Sequence, residues 1–127
     1  HCDAQGVYSD VQDRQFNTEG QNFLRGYQIT DKNGVAKFTT IYPGWYQGRT
    51  VHIHFKIRTG MHEFTSQLFF DESLTDKIYA SKEYQKSGRR TSNERDGIFR
   101  DSENQLTLSL TETEKGHKAT FEIGIYV

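Results

Sequence analysis

The strongest constraint on the fold is a series of short segments with strand-like patterns, separated by turns. Leu106, Leu108 and Leu110 alternate with polar residues, as in a strand that buries one face. Alternation, or a high content of aromatic and β-branched residues, predicts further strands over residues 23–30, 35–41, 49–58, 63–70 and 120–127. Strands this short and this numerous favour antiparallel pairing.

Local signals indicate how these strands are connected. The run Asp31-Lys32-Asn33-Gly34 predicts a turn with glycine where a positive φ is required, so the first two strands should form a hairpin. Residues 74–81 have helical spacing of apolar residues and Ser73 as a candidate cap, whereas the polar residues 82–95 predict a solvated loop. We therefore predict an all-β fold, an antiparallel β-sandwich with one short helix and long loops.

Length and composition limit the class of protein. A chain of 127 residues supports one core, so we predict that residues 1–127 form a single domain. Only 33% of residues are hydrophobic, but nine Phe and seven Tyr can supply the buried surface. The net charge of −1 gives no electrostatic reason to expect a nucleic acid or an anionic membrane as partner.

The start of the chain carries its only cysteine, Cys2, so the chain cannot form an internal disulfide. A buried thiol and a bridge to a residue outside the chain are both open. Because residue 1 lies directly beside a motif, we interpret it as the trimmed start of a longer secreted chain.

The pair His52-Ile53-His54 is a candidate half of a metal site. Residues i and i+2 of a strand lie on one face, about 6–7 Å apart, so both imidazoles can point at one ion. Histidines in strands also serve as hydrogen-bonded core or edge residues, and the pair alone does not decide between these roles.

Two nearby segments bring tyrosines that could complete such a site. Tyr42 and Tyr46 flank a Pro-Gly-Trp turn just before the histidines, and Tyr8 lies in a glycine-containing loop. A free phenol ionises near pH ~10, so only a strong Lewis acid holds it as phenolate at neutral pH. If phenols are the missing ligands, ferric iron is the expected metal. The commoner role of a tyrosine is an aromatic core residue with a hydrogen-bonded hydroxyl.

Four motifs together resemble the catalytic domain of the intradiol ring-cleavage dioxygenases of the catechol and protocatechuate type, and most closely their compact secreted branch. They are HCDAQGVYS at residues 1–9, FLRGYQITD at 23–31, TIYPGWY at 40–46 and RTVHIH at 49–54. The motifs cover the first half of the chain densely and in the family's order. The second half matches mainly in pattern.

The resemblance implies a non-haem Fe(III) site with four protein ligands. Tyr8 and His52 would be the equatorial ligands, and Tyr46 and His54 the axial ones. Tyr46 would also leave the iron and act as a base toward the substrate. Tyr42, although close in sequence, does not match the family's ligand.

The resemblance implies two further catalytic residues. Arg49 would stabilise negative charge on the ring carbon under attack, and Gln67 would lie on the strand that follows the histidines. The alternatives are a surface or ion-paired arginine and a surface amide on an exposed strand face.

The activity implied is cleavage of a catechol by O2 between its two hydroxylated carbons, yielding cis,cis-muconic acid products. Catechol, protocatechuate, hydroxyquinol and lignin-derived catechols are all candidate substrates. Two alternatives give these four residues no role as ligands of iron. One is a metal-free, transthyretin-like β-sandwich binding module, and the other is a copper monooxygenase in which His1 is an amino-terminal ligand.

The chain departs from the family's pattern in two places. Trp45 stands where the family's turn often has a second proline, so an indole either lines the pocket or packs beneath it. The helical segment that joins subunits in larger members is absent, so we expect a monomer. His62, His117 and the pair Arg89-Arg90 fall outside the motifs and are expected to be solvated, although the arginines could steer an anionic aromatic acid.

Overall fold

The computed structural model describes residues 1–126. These residues form four strands, two α-helices and two 3₁₀ turns. The strands are β1 (His52–Thr59), β2 (His62–Phe69), β3 (Thr111–Thr113) and β4 (Gly116–Lys118). The helices are α1 (Glu72–Tyr79) and α2 (Gly97–Asp101), with 3₁₀ turns at Lys82–Tyr84 and Asn93–Arg95. The fold is all-β, as predicted, although its two sheets are small.

The antiparallel hairpin of β1 and β2 places the histidine pair. Its register sets His52 opposite Phe69 and His54 opposite Gln67. Directly opposed side chains lie on the same face of an antiparallel pair, so both imidazoles and the Gln67 amide share one face. Phe69 is fully buried at the end of the hairpin that carries His52. The strand that was predicted to present His52 and His54 on one face is confirmed.

The other face of the hairpin is apolar. Phe55 and Phe64 lie with their ring centroids 6.3 Å apart, and Ile53 is opposite Leu68. The same register places Phe64 and Leu68 on one face and Phe69 on the other. His52 and Phe69 on the histidine face are buried, whereas Phe64 on the other face is 43% exposed, so the hairpin meets the core at the end that carries His52.

Residues 106–110 contribute less regular structure than their alternation predicts. The Phe69 N–H donates to the Leu106 carbonyl and the Leu108 N–H donates to the Phe69 carbonyl, each at 2.8 Å. These bonds form a single parallel bridge beside β2 rather than a full strand. The chain then continues into the exposed hairpin of β3 and β4, which turns at residues 114–115.

The hairpin predicted over residues 23–41 is correct at its turn and wrong in its strands. The Asp31 carboxylate accepts hydrogen bonds from the N–H groups of Asn33 and Val35, and Gly34 has a φ of +77°. Residues 23–30 and 35–41 form no ladder, and the side chain of Ile29 is 87% exposed. Alternation predicts which side chains share a face, but a strand also needs a partner to bond with.

The strand predicted over residues 120–127 is also not formed. Residues 120–126 carry no regular structure, and Val127 lies outside the described residues. Phe121 and Ile123 are half-buried, in keeping with their alternation. As for residues 23–41, the alternation of apolar residues does not specify a neighbouring strand to bond with.

The helix predicted over residues 74–81 begins two residues earlier, at Glu72, and ends at Tyr79. Its cap is Asp71 rather than Ser73, because the Asp71 carboxylate accepts the Leu74 N–H at 3.0 Å. Ser73 instead donates its hydroxyl to that carboxylate. A second helix, α2, was not predicted; Asp96 caps it by accepting the Phe99 N–H.

Replacing Asp71 by alanine is expected to lower the free energy of unfolding by about 1 kcal/mol, the usual cost of a lost helix cap. Hydrogen bonds from Ser73 and from the Leu74 N–H lower the pKa of Asp71. The capping stabilisation is therefore present above the ordinary pKa of a carboxyl and is lost as the pH falls through the lower value of the folded protein. Urea unfolding of Asp71→Ala and of the wild type at pH 7 and pH 3 measures the loss of unfolding free energy and its pH dependence. Ser73→Ala leaves the cap in place and should lower the free energy of unfolding by less.

Residues 82–95, predicted to be a solvated loop, contain structural contacts. Asn93 is buried and its side-chain amide donates to the Phe70 carbonyl at 2.8 Å. Arg90 forms ion pairs with Glu72 and Asp76, with its side chain only 15% exposed. The segment therefore anchors α1 to the rest of the chain.

No helix within residues 1–126 is long and apolar enough to cross a membrane.

Candidate metal centre

The loop that bears Tyr8 is organised by the side chain of Asp3. The Asp3 carboxylate accepts the N–H groups of Gln5 and Val7, each at 2.9 Å. Its carbonyl accepts the Gly6 N–H at 3.0 Å, and Gly6 adopts a φ of +86° that favours glycine. The loop therefore presents Tyr8 from a hydrogen-bonded turn rather than from a strand.

The turn that bears Tyr46 lies in backbone contact with this loop. The Gly44 N–H donates to the Asp3 carbonyl at 2.9 Å. A Cβ atom on Gly44 would lie 2.5 Å from two carbonyl oxygens of the Tyr8 loop, and one on Gly6 would lie 2.1 Å from the Trp45 carbonyl oxygen. The two glycines thus allow an approach that brings both tyrosines to one place.

Two phenols and the imidazole of His54 converge on the Nε2 atom of His52. This atom lies 3.4 Å from the Tyr8 hydroxyl, 3.2 Å from the Tyr46 hydroxyl and 3.2 Å from the Nε2 atom of His54. The rings of Tyr8 and Tyr46 meet edge to face with centroids 5.5 Å apart. Tyr8 and Tyr46 are half-buried, His52 is buried and His54 is exposed, so the cluster opens to solvent on the side of His54.

The orientation of His52 is set by a backbone hydrogen bond. Its Nδ1 atom lies 2.6 Å from the Thr50 carbonyl oxygen, which can only accept, so Nδ1 carries the proton and Nε2 presents its lone pair to the cluster. Burial lowers the pKa of His52 to about 4. Partial desolvation, with the nearby charge of Arg49, also lowers the pKa of His54. Both imidazoles are therefore neutral at pH 7, the form that binds a metal.

Burial favours loss of a proton by the two histidines, but it favours retention of the proton by Tyr8. Burial raises the pKa of Tyr8, and the neighbouring Tyr46 phenol raises it further. Without a cation, Tyr8 stays protonated at neutral pH. A highly charged metal ion at the centre of the cluster would reverse this preference, because a bound cation favours the ionised form of its ligands.

The residues present fit a hard, highly charged metal ion. Ligands that bind one ion at about 2.0–2.2 Å, with angles of about 90–109° between them, are about 2.8–3.6 Å apart, and the three separations from His52 lie in this range. Among residues 1–126 no group of three or more His, Cys, Asp or Glu side chains could hold a metal ion. The donors are therefore two imidazoles and two phenols, which suit neither a thiolate-rich zinc site nor a carboxylate-rich calcium site.

The side chains of Arg49 and Gln67 are joined beside this cluster. The Arg49 Nη2 atom donates to the Gln67 Oε1 atom at 2.6 Å, and the Arg49 Nε atom donates to the Asp96 carboxylate at 2.7 Å. Gln67 lies opposite His54 in the hairpin. Both residues predicted to be catalytic are thus brought to the histidine face of the sheet, and Arg49 is ion-paired rather than free.

Sequence reasoning missed Asp96, which is 3% exposed. Its carboxylate accepts the Arg49 side chain, the Thr50 N–H at 2.9 Å and the Phe99 N–H at 3.0 Å. Burial alone would raise the pKa of Asp96, but these hydrogen bonds outweigh it and lower the pKa. Its only signal in the sequence is an aspartate before Gly97, the position of a helix cap.

The other candidates lie outside the cluster. The Tyr42 hydroxyl is 2.7 Å from the Thr75 Oγ1 atom, and its ring packs on Phe70, so Tyr42 is a core residue. The Lys86 ammonium lies 4.2 Å from the centre of the Trp45 ring and donates to the Trp45 carbonyl, so the indole is covered by this side chain. Arg90, considered for steering an anion, is neutralised by two carboxylates.

The residues at the start of the chain do not extend the cluster. Cys2 is a buried free thiol that lies 3.4 Å from the Gly44 carbonyl oxygen. The ring nitrogens of His1 lie 2.6 Å from the Cys2 carbonyl oxygen and 2.8 Å from the Thr40 Oγ1 atom. His62 and His117 are exposed, as expected.

Two solved structures are similar in fold and sequence to this chain. An intradiol ring-cleavage dioxygenase from Tetranychus urticae is 31% identical over 93% of this chain, with a TM-score of 0.82. The crystal structure of a further dioxygenase is 33% identical over 87% of this chain, with a TM-score of 0.75. The chain spans 64% and 59% of the lengths of these two proteins. Comparisons with protein-family models and with curated proteins give no match.

Proposed function

We propose that this chain, which belongs to the intradiol ring-cleavage dioxygenases, binds non-haem Fe(III) and cleaves catechol-type aromatics with O2. The expected products are cis,cis-muconic acids. The observation that carries the proposal is the convergence of the Tyr8 and Tyr46 hydroxyls and the His54 imidazole on His52 Nε2.

The ligands in this proposal are Tyr8, Tyr46, His52 and His54. Two phenolates and two neutral imidazoles match the charge and hardness of ferric iron. When bound, Fe(III) supplies a Lewis acid that withdraws electron density from the aromatic substrate. The described residues supply this donor set without any thiolate or carboxylate.

The protein side chains contribute to the proton and charge movements. A catechol that binds through both oxygens loses two protons; the Tyr46 Oη atom, as phenolate, can accept one as a general base, and water at the open side of the cluster can take the other. Tyr46 is suited to this role because its hydroxyl lies in a half-buried cluster that opens to solvent. Arg49 and Gln67 place hydrogen-bond donors on the same face, where they can stabilise negative charge on the ring.

Replacing Arg49 by alanine is expected to leave iron binding intact and to reduce kcat by roughly 100-fold, the typical effect of losing one stabilising donor. Arg49 contacts Asp96 and Gln67 and makes no hydrogen bond to the four proposed ligands. Iron content, the visible spectrum and turnover of Arg49→Ala measure this. Arg58→Ala, which removes an exposed arginine paired with Glu63, is the matched control.

The colour of the iron-loaded protein tests the proposal. Charge transfer from phenolate to Fe(III) should give a red to burgundy protein whose visible band shifts when catechol is added without oxygen. With oxygen, a panel of catechols should yield products with the ultraviolet absorption of muconic acids. A protein that stays colourless after iron reconstitution, or that binds copper instead, would contradict the proposal.

A further inference from the structure

We propose that Asp96 is a positioning residue that fixes the Arg49 guanidinium and, through it, the orientation of the Gln67 amide. The contacts of Asp96 support this positioning by themselves, and its consequence for turnover rests on the proposed function.

The carboxylate of Asp96 is placed by the fold rather than by Arg49. It caps α2 by accepting the Phe99 N–H through Oδ1, which leaves Oδ2 facing Arg49 and Thr50. Asp96 is buried, and its side chain in the ion pair is 1% exposed, against 22% for Arg49. The less exposed, doubly anchored partner therefore determines where the more exposed one lies.

The bond to Asp96 determines which edge of Arg49 meets Gln67. With its Nε atom held by Asp96, the planar guanidinium has little freedom to rotate, and its Nη2 atom reaches Gln67 Oε1 at 2.6 Å. Arginine only donates hydrogen bonds, so the oxygen of the Gln67 amide must face it. The amide nitrogen is left as the donor that Gln67 can present on the histidine face.

Asp96 also touches the strand that carries His52, and this contact is a competing explanation for any effect of its removal. Its Oδ2 atom accepts the Thr50 N–H, and the Thr50 carbonyl accepts the His52 Nδ1–H. A test must therefore separate an effect transmitted through Arg49 from one transmitted through Thr50.

The first measurement uses the metal-free protein and needs no activity. Hydrogen exchange of the Arg49 side-chain Nε–H, followed by nitrogen-15 NMR, should be at least roughly tenfold slower than that of the exposed Arg14, because the N–H donates to a buried carboxylate. Asp96→Asn should remove this protection, whereas Glu94→Gln, an exposed carboxylate in the neighbouring turn, should not. Exchange at Arg49 as fast as at Arg14 in the wild type overturns the proposal, whether or not Asp96→Asn folds.

The second measurement is a double-mutant cycle on the iron-loaded protein. Asp96→Asn should lower kcat by roughly tenfold or more with little change in KM for catechol or in the visible band. In an Arg49→Ala background the same substitution should have no further effect on kcat, because the guanidinium through which Asp96 acts is absent. A further fall in the double variant as large as in Asp96→Asn alone would show that Asp96 acts through Thr50, and would overturn the proposal.

The proposed function and the positioning role of Asp96 can be contradicted independently. If the wild-type protein binds no iron and turns over no catechol, the proposed function is wrong, and the exchange experiment alone decides the role of Asp96. If turnover is present but Asp96→Asn leaves both exchange and kcat unchanged, the positioning role is wrong and the proposed function stands.

Discussion

Replacing Tyr8 by phenylalanine is expected to abolish the visible colour of the iron-loaded protein or to lower its iron affinity by more than about 100-fold. Changes to residues that only support a metal ligand already cost roughly 10–100-fold, and this change removes a donor atom. The phenylalanine ring keeps the packing against Tyr46, so the fold should survive. Iron content after dialysis and the visible spectrum measure the effect.

The control for this change is Tyr42→Phe. This substitution also removes a tyrosine hydroxyl, at a position four residues before Tyr46. The Tyr42 hydroxyl, however, bonds to Thr75 and not to the cluster. We expect a stability cost of about 1 kcal/mol from that lost hydrogen bond, with colour and iron content retained. Equal loss of iron from both variants would show that the effect arises from general destabilisation rather than from ligation by Tyr8.

Replacing Gly44 by alanine should separate the two tyrosine-bearing segments. The added Cβ atom would lie 2.5 Å from two backbone carbonyl oxygens, and backbone atoms cannot move aside as a flexible side chain can. Overpacking of this kind costs about 1–3 kcal/mol. We therefore expect a lower free energy of unfolding together with a loss of iron binding, since Tyr8 and Tyr46 no longer meet at His52.

Gly26→Ala is the matched control, because a Cβ atom at Gly26 would meet nothing within 4 Å. It should change neither the urea midpoint nor the iron content by a measurable amount. If Gly44→Ala binds iron as tightly as the wild type, the close contact between the Tyr8 loop and the Tyr46 turn is not what assembles the site.

Local patterns predicted the features that depend on neighbouring residues. The alternation at residues 52–54 correctly placed both imidazoles on one face, because the side chains of any strand alternate. The turn at residues 31–34 was also correct, since its aspartate bonds to backbone groups two and four residues away. The resemblance to the dioxygenases then named a ligand set that these local patterns alone had left open.

The errors share a physical cause. The strands predicted over residues 23–30 and 35–41 had the right pattern but no ladder, because pairing requires a partner that a pattern does not specify. The helix cap was assigned to Ser73, while Asp71 accepts the bond, since either residue type can cap and the geometry of the preceding turn decides. Residues 82–95 were predicted to be solvated, yet Asn93 is buried by contacts that are distant in sequence.

The sequence by itself determined the chemistry available to this protein: two histidines on one strand face, tyrosines in turns nearby and no clustered thiols. Only the tertiary structure decided which groups meet. Tyr8 reaches His52 across 44 residues of sequence, and Asp96 reaches Arg49 across 47. Such contacts arise from the packing of glycine-lined loops and from the cap of a short helix. No periodicity within either segment encodes them, because the interaction exists only once the segments are folded against each other.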